Sequence, residues 1–275
     1  MDLGLKGAAV CVSGGTRGLG RQAAVAFAGE GARVIVSARG ADELQRTVAA
    51  LREAGAAEAF GVVADVGDPA SIESLFATIE QRWGSLNTLI NMVGPTQPSQ
   101  GRTFLEVPDE QWRYYIDVGV MSVVRCTRAA VPLMRKAGWG RVINISSISS
   151  RLGVPTEAPY MTAKAALNAL SKNMAWALAQ EGILVNTVTP GVFHTEALRH
   201  YMEATAASHG YDPGNLADVW RWMRETQGER YAGTIGRIAL PSELAPLLLL
   251  LGSPANSYIV GANIAIDGGT DFSGG

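Results

Sequence analysis

A chain of 275 residues, 47 % apolar and 17 % charged, can bury a sizeable core, either as one large α/β unit or as two small ones. Its net charge of −2 and the absence of a basic run exclude nucleic acid as an expected partner, while the low charge content favours some surface buried in an oligomer. Two cysteines, Cys11 and Cys126, exclude a disulfide framework and a zinc site, no metal is expected, and the longest apolar run (244–251) is interrupted by Pro246 and too short for a bilayer.

In chain order, the first ten residues show no basic segment leading an apolar stretch of signal length, so a cytoplasmic protein is expected. Residues 7–13 (GAAVCVS) form an almost continuous apolar run that suits a strand buried on both faces of a parallel sheet. SGGTRGLG follows, with glycines at 14, 15, 18 and 20, and then a helical pattern through Ala28. Strand, glycine-rich turn and helix either cradle a pyrophosphate at the helix N-terminus or simply allow a tight turn with close packing. A second strand (33–38) and a helix (41–54) come next. That strand ends in Ser37, Ala38 and Arg39, with no acid to bind ribose hydroxyls, and Arg17 lies in the glycine turn. Two guanidiniums there either grip a 2′-phosphate or stand as solvated surface arginines.

Strand three (59–66) ends in Asp65-Val66, a helix runs from Pro69 to Trp83, and strand four spans 88–94. A loop rich in Pro and Gln (95–103) leads to a helix over 109–137, which Pro132 should end or kink. Strand five (141–146), a helix from Pro159 or Tyr160, and strand six (183–188), closed by Pro190-Gly191, continue the alternation. Short β-α-β connections predict a doubly wound α/β fold with a parallel sheet, and no linker divides residues 1–275 into domains. Residues 192–237 differ. They hold His194, His200 and His209 and the aromatics Phe193, Tyr201, Tyr211, Trp220, Trp222 and Tyr231, on helical patches separated by Gly210 and Pro213-Gly214, a pattern that suggests a lid over a pocket. A last helix (241–251) and strand (263–267) complete the sheet.

The chemistry centres on residues 140–175. Tyr160 and Lys164, four apart on a helix, share one face. An unperturbed phenol titrates near ~10, too high for efficient acid–base work at neutral pH, and a nearby ammonium would lower that value. Tyr160 would then donate a proton to a carbonyl oxygen during reduction and accept one during oxidation, with Ser147 hydrogen-bonding the same oxygen as its charge grows. Taken alone, a Tyr and a Lys at this spacing are equally at home on any amphipathic helix.

Together, the motifs resemble the short-chain dehydrogenase/reductase family over essentially the whole length, in a branch similar to 3-oxoacyl reductases. The matching stretches are S13-G-G-T-R-G-L-G20, Asp65, N91-M-V-G94, Ser147, Y160-M-T-A-K164, N186-T-V-T-P-G191 with Thr195, and I259-V-G-A-N-I-A-I-D-G-G269. The resemblance implies a single Rossmann-like domain with a seven-stranded parallel sheet and helices on both faces. It implies that Gly14, Gly18 and Gly20, with Thr16 and Leu19, line a dinucleotide pyrophosphate, and that Asp65 and Val66 contact adenine. Asn91 and Gly94 would line the central part of the cofactor, Lys164 would also bind the nicotinamide ribose, and Pro190, Gly191, Val192 and Thr195 would sit at the carboxamide. Arg17 and Arg39 match positions that favour NADP(H) over NAD(H).

Three departures from the family pattern stand out: Ser13 for Thr, Met92-Val93 for Asn-Ala, and Gly119 for the Asn of a D-V-N stretch that usually supports a water in the proton relay. Gly119 should also weaken a helix interior by up to ~1 kcal/mol relative to Ala. The expected activity is NADP(H)-dependent interconversion of a ketone and a secondary alcohol. The aromatics of 192–237 suggest a bulky or ring-bearing substrate, with the alternative that they serve packing. Two other functions stay open: a catalytically impaired nucleotide-binding regulator or structural subunit, and a non-redox isomerase or dehydratase using the same pocket. Homotetramers or homodimers would form through the helices around 109–136 and 160–180 and the C-terminal segment.

Overall fold

The structure is a computed structural model and describes residues 2–95, 102–152, 156–205, 210–228 and 233–270. His209, Tyr231, most of the Pro- and Gln-rich loop and the last five residues lie outside the described residues.

Seven strands form one parallel sheet: β1 (Ala9–Ser13), β2 (Arg33–Ala38), β3 (Glu58–Val63), β4 (Thr88–Asn91), β5 (Gly140–Ile145), β6 (Ile183–Pro190) and β7 (Asn263–Ile266). Their order is β3-β2-β1-β4-β5-β6-β7, so the order reverses between β1 and β4. At such a switch point the connections leave in opposite directions and open a crevice at the carboxyl ends of the strands. β3 and β4 are shorter than the apolar pattern suggests. Ala64–Val66 and Met92–Gly94 have left the sheet and turn into the crevice.

Helices cover both faces: α1 (Gly18–Gly29), α2 (Ala41–Glu53), α3 (Pro69–Trp83), α4 (Asp109–Ile116), α5 (Ser122–Ala137), α6 (Ala158–Leu178), α7 (Glu196–Thr205), α8 (Leu216–Gln227) and α9 (Ala245–Leu251). Local chemistry sets several ends. The Asp68 carboxylate accepts from the amides of Ala70 and Ser71 at 3.1 and 3.2 Å, Pro69 occupies the first turn of α3, and Gly84 closes that helix at φ +68°. Phe27, Leu51 and Leu248 pack on one face of the sheet, and Ile72, Leu75, Ile79 and Met134 on the other.

The long helix predicted over 109–137 breaks elsewhere than expected. Pro132 sits inside α5 without ending it, and the interruption is a π-helical turn, Asp117–Met121, between α4 and α5. One extra residue in that turn rotates α4 relative to α5. Gly119 is therefore not in an α-helix interior.

One register row is polar across six strands: Ser37, Ser13, Asn91, Asn144, Thr187 and Asn263 are successive Cα partners. It lies at or next to the carboxyl ends of β2, β1, β4 and β5, in the middle of β6 and at the start of β7.

Candidate active site

The glycine turn is built by close approach. Gly14 has φ +77°, a conformation that L side chains rarely adopt, and a β-carbon there would also stand 2.8 Å from Val93 Cγ2. A β-carbon on Gly20 would lie 2.1 Å from the Gly14 carbonyl oxygen, so the first turn of α1 rests directly on the preceding loop. Gly18, at φ +49°, faces Thr195 Cγ2, 3.6 Å from where its β-carbon would stand. The start of α1 thus meets the loop after β6. This cradle would be filled by any side chain, and it fits a pyrophosphate held on backbone amides at a helix N-terminus.

A cleft of about 430 Å³ opens beside it. Of the residues singled out in the sequence, Gly14, Thr16, Arg17, Arg39, Asp65, Val66 and Gly94 line this cleft. The Asp65 carboxylate accepts from the Gly67 amide at 2.9 Å, which fixes the turn after β3. Ser37, at the end of β2, also lines the cleft, and its buried hydroxyl has no protein partner. Leu19 belongs to the first turn of α1, and Asn91 is buried at the end of β4. Pro190 ends β6. Gly191 is pressed against Asp267, whose Cα would be 2.7 Å from an added β-carbon. Val192 lines a separate cavity of about 200 Å³ with Ile235, Arg237 and Glu243, so the structure does not bring it into the larger cleft.

Ser147, Tyr160 and Lys164 do not line this cleft and converge beside it. Ser147 follows β5, and its hydroxyl accepts from the Ser149 amide at 3.2 Å and shares a side-chain hydrogen bond with Tyr160. Lys164 is buried, and its Nζ donates to the Ile145 carbonyl at 2.7 Å and lies 5.9 Å from the centre of the Tyr160 ring. Gly94 joins the two regions: it lines the cleft, and its missing β-carbon would stand 3.4 Å from Lys164 Nζ.

The electrostatics correct one expectation. Burial raises the Tyr160 phenol above its ordinary value; the Ser147 hydrogen bond opposes this and the Glu157 charge adds to it. The Lys164 ammonium is not the group that lowers it. Burial acts on Lys164 too, bringing it down to about 8, and its Nζ is turned to a backbone carbonyl.

Sequence reasoning missed what fixes α6. Asn91 Nδ2 donates to Asn144 Oδ1 at 2.8 Å, Asn144 Nδ2 donates to Ser171 Oγ at 2.9 Å, and Ser171 Oγ donates to the Leu167 carbonyl at 2.7 Å. All three side chains are buried. This chain ties the sheet to the helix that carries Tyr160 and Lys164. Also missed were Tyr114, Asp117 and Val118, which line the cleft from α4 and the π-turn. No 3.6-residue periodicity announces a π-turn.

The 192–238 segment builds a small core of its own. Met202, Val219, Trp222, Met223 and Ile238 are buried together between α7 and α8, and Phe193 is buried against the main core. Tyr211 bonds Glu225, Trp220 Nε1 donates to the Gly233 carbonyl at 3.2 Å, and His194 Nε2 lies 2.6 Å from the Pro213 carbonyl oxygen. Most of the aromatics therefore serve packing. Tyr201, 52 % exposed with its edge to Trp222, is the exception. Among the described residues no His/Cys/Asp/Glu cluster could hold a metal, and no helix is long and apolar enough to cross a membrane.

Residues 8–206 match the family model described as short chain dehydrogenase. An oxidoreductase of Bacillus subtilis, YvrD, whose role is uncharacterised, is 33 % identical over 269 residues, covering 98 % of each chain. The 3-oxoacyl-[acyl-carrier-protein] reductase FabG of Escherichia coli is 32 % identical over 267 residues, covering 97 % of this chain and 98 % of its own. Among solved structures, L-sorbose reductase of Gluconobacter frateurii, complexed with NADPH and L-sorbose, superimposes with a TM-score of 0.89 at 30 % identity, covering 98 % of this chain and 99 % of its own.

Proposed function

Because the chain belongs to the short-chain dehydrogenase family, we propose that it is an NADP(H)-dependent oxidoreductase that interconverts a ketone and a secondary alcohol. The observation that supports this reading is the convergence of Ser147, Tyr160 and Lys164, with Lys164 beside Gly94 of a cleft that Arg17 and Arg39 also line. The glycine cradle and the two arginines fit a dinucleotide with a 2′-phosphate, and an NADPH complex of a similar fold supports the choice. Gly14, Gly18 and Gly20 would hold the pyrophosphate, Asp65 and Val66 the adenine, and Lys164 the nicotinamide ribose. When bound, the nicotinamide supplies the hydride.

Tyr160 donates the proton to the carbonyl oxygen. A phenol kept protonated by burial suits that direction, and Ser147 is placed to hydrogen-bond the oxygen as its charge grows. Lys164 holds its ammonium beside Tyr160, at the end nearer the cleft. The 192–238 segment serves as the cover on the substrate side of one domain.

FabG and L-sorbose reductase are named for an acyl thioester ketone and a sugar ketone, so the fold leaves the substrate open. A bulky or ring-bearing substrate keeps Tyr201 as its one exposed aromatic support in the described part of the cover. Self-association would use Trp176 on α6 and Tyr258 before β7, which are 90 % and 94 % exposed. Light scattering on Trp176→Glu tests that surface, and an unchanged mass would remove it.

The activity is tested by following NADPH oxidation against sugar ketones, 3-oxoacyl thioesters and polycyclic ketones, with NADH and Tyr160→Phe alongside. Turnover with NADPH that disappears in the phenylalanine variant is expected. Binding of NADPH with no turnover on any ketone would sink the reading.

A further inference from the structure

Arg17 and Arg39 line the cleft together with Asp65 and Asp117. Beside it, Glu43 stands in the first turn of α2 with Oε2 4.0 Å from Arg17 Nε. A β-carbon on Gly40 would stand in ordinary contact with the carboxylate, 3.6 Å from Glu43 Oε2. The acid therefore lies over the backbone just after Arg39. Acids are favoured in the first turn of a helix, and Asp42 already supplies one there. Glu43 is the acid that turns to an arginine of the cleft. With side chains 71 % and 41 % exposed, the ion pair contributes little to stability, so its effect falls on what Arg17 binds.

Resting on the NADP(H) reading above, we propose that Glu43 is a specificity-determining residue that moderates the preference for a 2′-phosphate. Its carboxylate competes with the phosphate for the Arg17 guanidinium and repels the phosphate directly. A ribose 2′-hydroxyl carries no charge, so NADH binding depends far less on Glu43. Discrimination then depends on Glu43 as well as on the two arginines.

Calorimetric dissociation constants for NADPH and NADH test this with wild type, Glu43→Gln, Arg17→Ala and the double variant. Glu43→Gln is expected to tighten NADPH about three- to tenfold at low salt and NADH by less than about twofold, from the removal of one charge near the phosphate in high dielectric. The gain should shrink in about 1 M salt, where the screening length falls to about 3 Å. It should also shrink when Arg17 is alanine. An unchanged or weaker NADPH constant in Glu43→Gln, or equal tightening of NADH, overturns the proposal. Failure of the cofactor reading looks different: wild type prefers NADH, and Arg17→Ala leaves NADPH binding unaltered.

Discussion

Gly119 in the π-turn and Ala163 on α6 meet so closely that a β-carbon on Gly119 would stand 3.1 Å from that of Ala163 and 3.6 Å from Pro95 Cδ. Ala163 directly precedes Lys164, so the glycine sets how near the kinked helix comes to the helix carrying the site. The family's Asn would have to push the two apart. Gly119→Asn is expected to cost about 1–3 kcal/mol by overpacking. Ala163→Gly in the same chain should recover part of that loss. Urea melts of the single and double variants check it, and simple additivity would contradict the contact.

Burial holds the Tyr160 phenol above its ordinary value, so ketone reduction, which needs the protonated phenol, should stay level through neutral pH and fall only in the alkaline range. Alcohol oxidation needs the phenolate and should rise with pH. Ser147→Ala removes a hydrogen bond that lowers the phenol, so the alkaline limb should move further up while kcat drops roughly 10²- to 10³-fold. A pH profile of the variant superimposable on wild type would argue against the Ser147–Tyr160 bond.

Lys164 titrates at about 8 in the folded chain against 10.5 for an ordinary lysine. Its folded value is the lower one, so between these values the unfolded chain binds more protons and this group's contribution to stability rises with pH. Below about 8 both states are charged and the burial penalty is constant. Lys164→Met should therefore be more stable than wild type by about 1–3 kcal/mol at neutral pH, with the gap narrowing towards pH 10. A gap that widens would reverse the sign.

Asn144→Ala strands the buried Asn91 amide, while the Ser171 hydroxyl keeps its bond to the Leu167 carbonyl. Leaving the amide unpaired should cost about 1–3 kcal/mol. Chemical denaturation gives the total; a loss under 1 kcal/mol would mean that water replaces the missing amide.

Trp222→Ala empties the small core between α7 and α8, with a local cost of about 3–5 kcal/mol. Limited proteolysis should then cut within 192–238 while hydrogen exchange in β1, β4 and β5 stays slow. Exchange that accelerates equally throughout would show that the segment and the sheet unfold together.

Much of the candidate site was legible because several motifs occur together in order, although each alone has other uses. Glycines that must approach each other, as Gly14 and Gly20 do, leave a mark in sequence, and Ser147, Tyr160 and Lys164 stand out only in that company. The apolar runs and their alternation with helices gave the sheet. Contacts that depend on register were not legible: Asn91, Asn144 and Ser171 lie far apart in the chain and meet only once β4 and β5 are paired. Pro132 misled because a helix interior can absorb one proline, whereas the π-turn at 117–121 carries only Gly119, a much weaker breaker. The aromatics of 192–237 were ambiguous for a different reason, since a ring suited to a substrate is equally suited to a neighbouring helix.

The polar row from Ser37 to Asn263 also acts as an alignment key. Apart from their few polar residues, strands such as β1, β4 and β5 are apolar on both faces and could slide past one another by a residue with little change in buried apolar surface. Asn91 stands opposite Asn144; shifted by one, it would face Ile143 or Ile145 and leave two amides unanswered inside the sheet. Mispaired sheets are thus penalised at their centre, and the strand ends that form the crevice arrive level with one another.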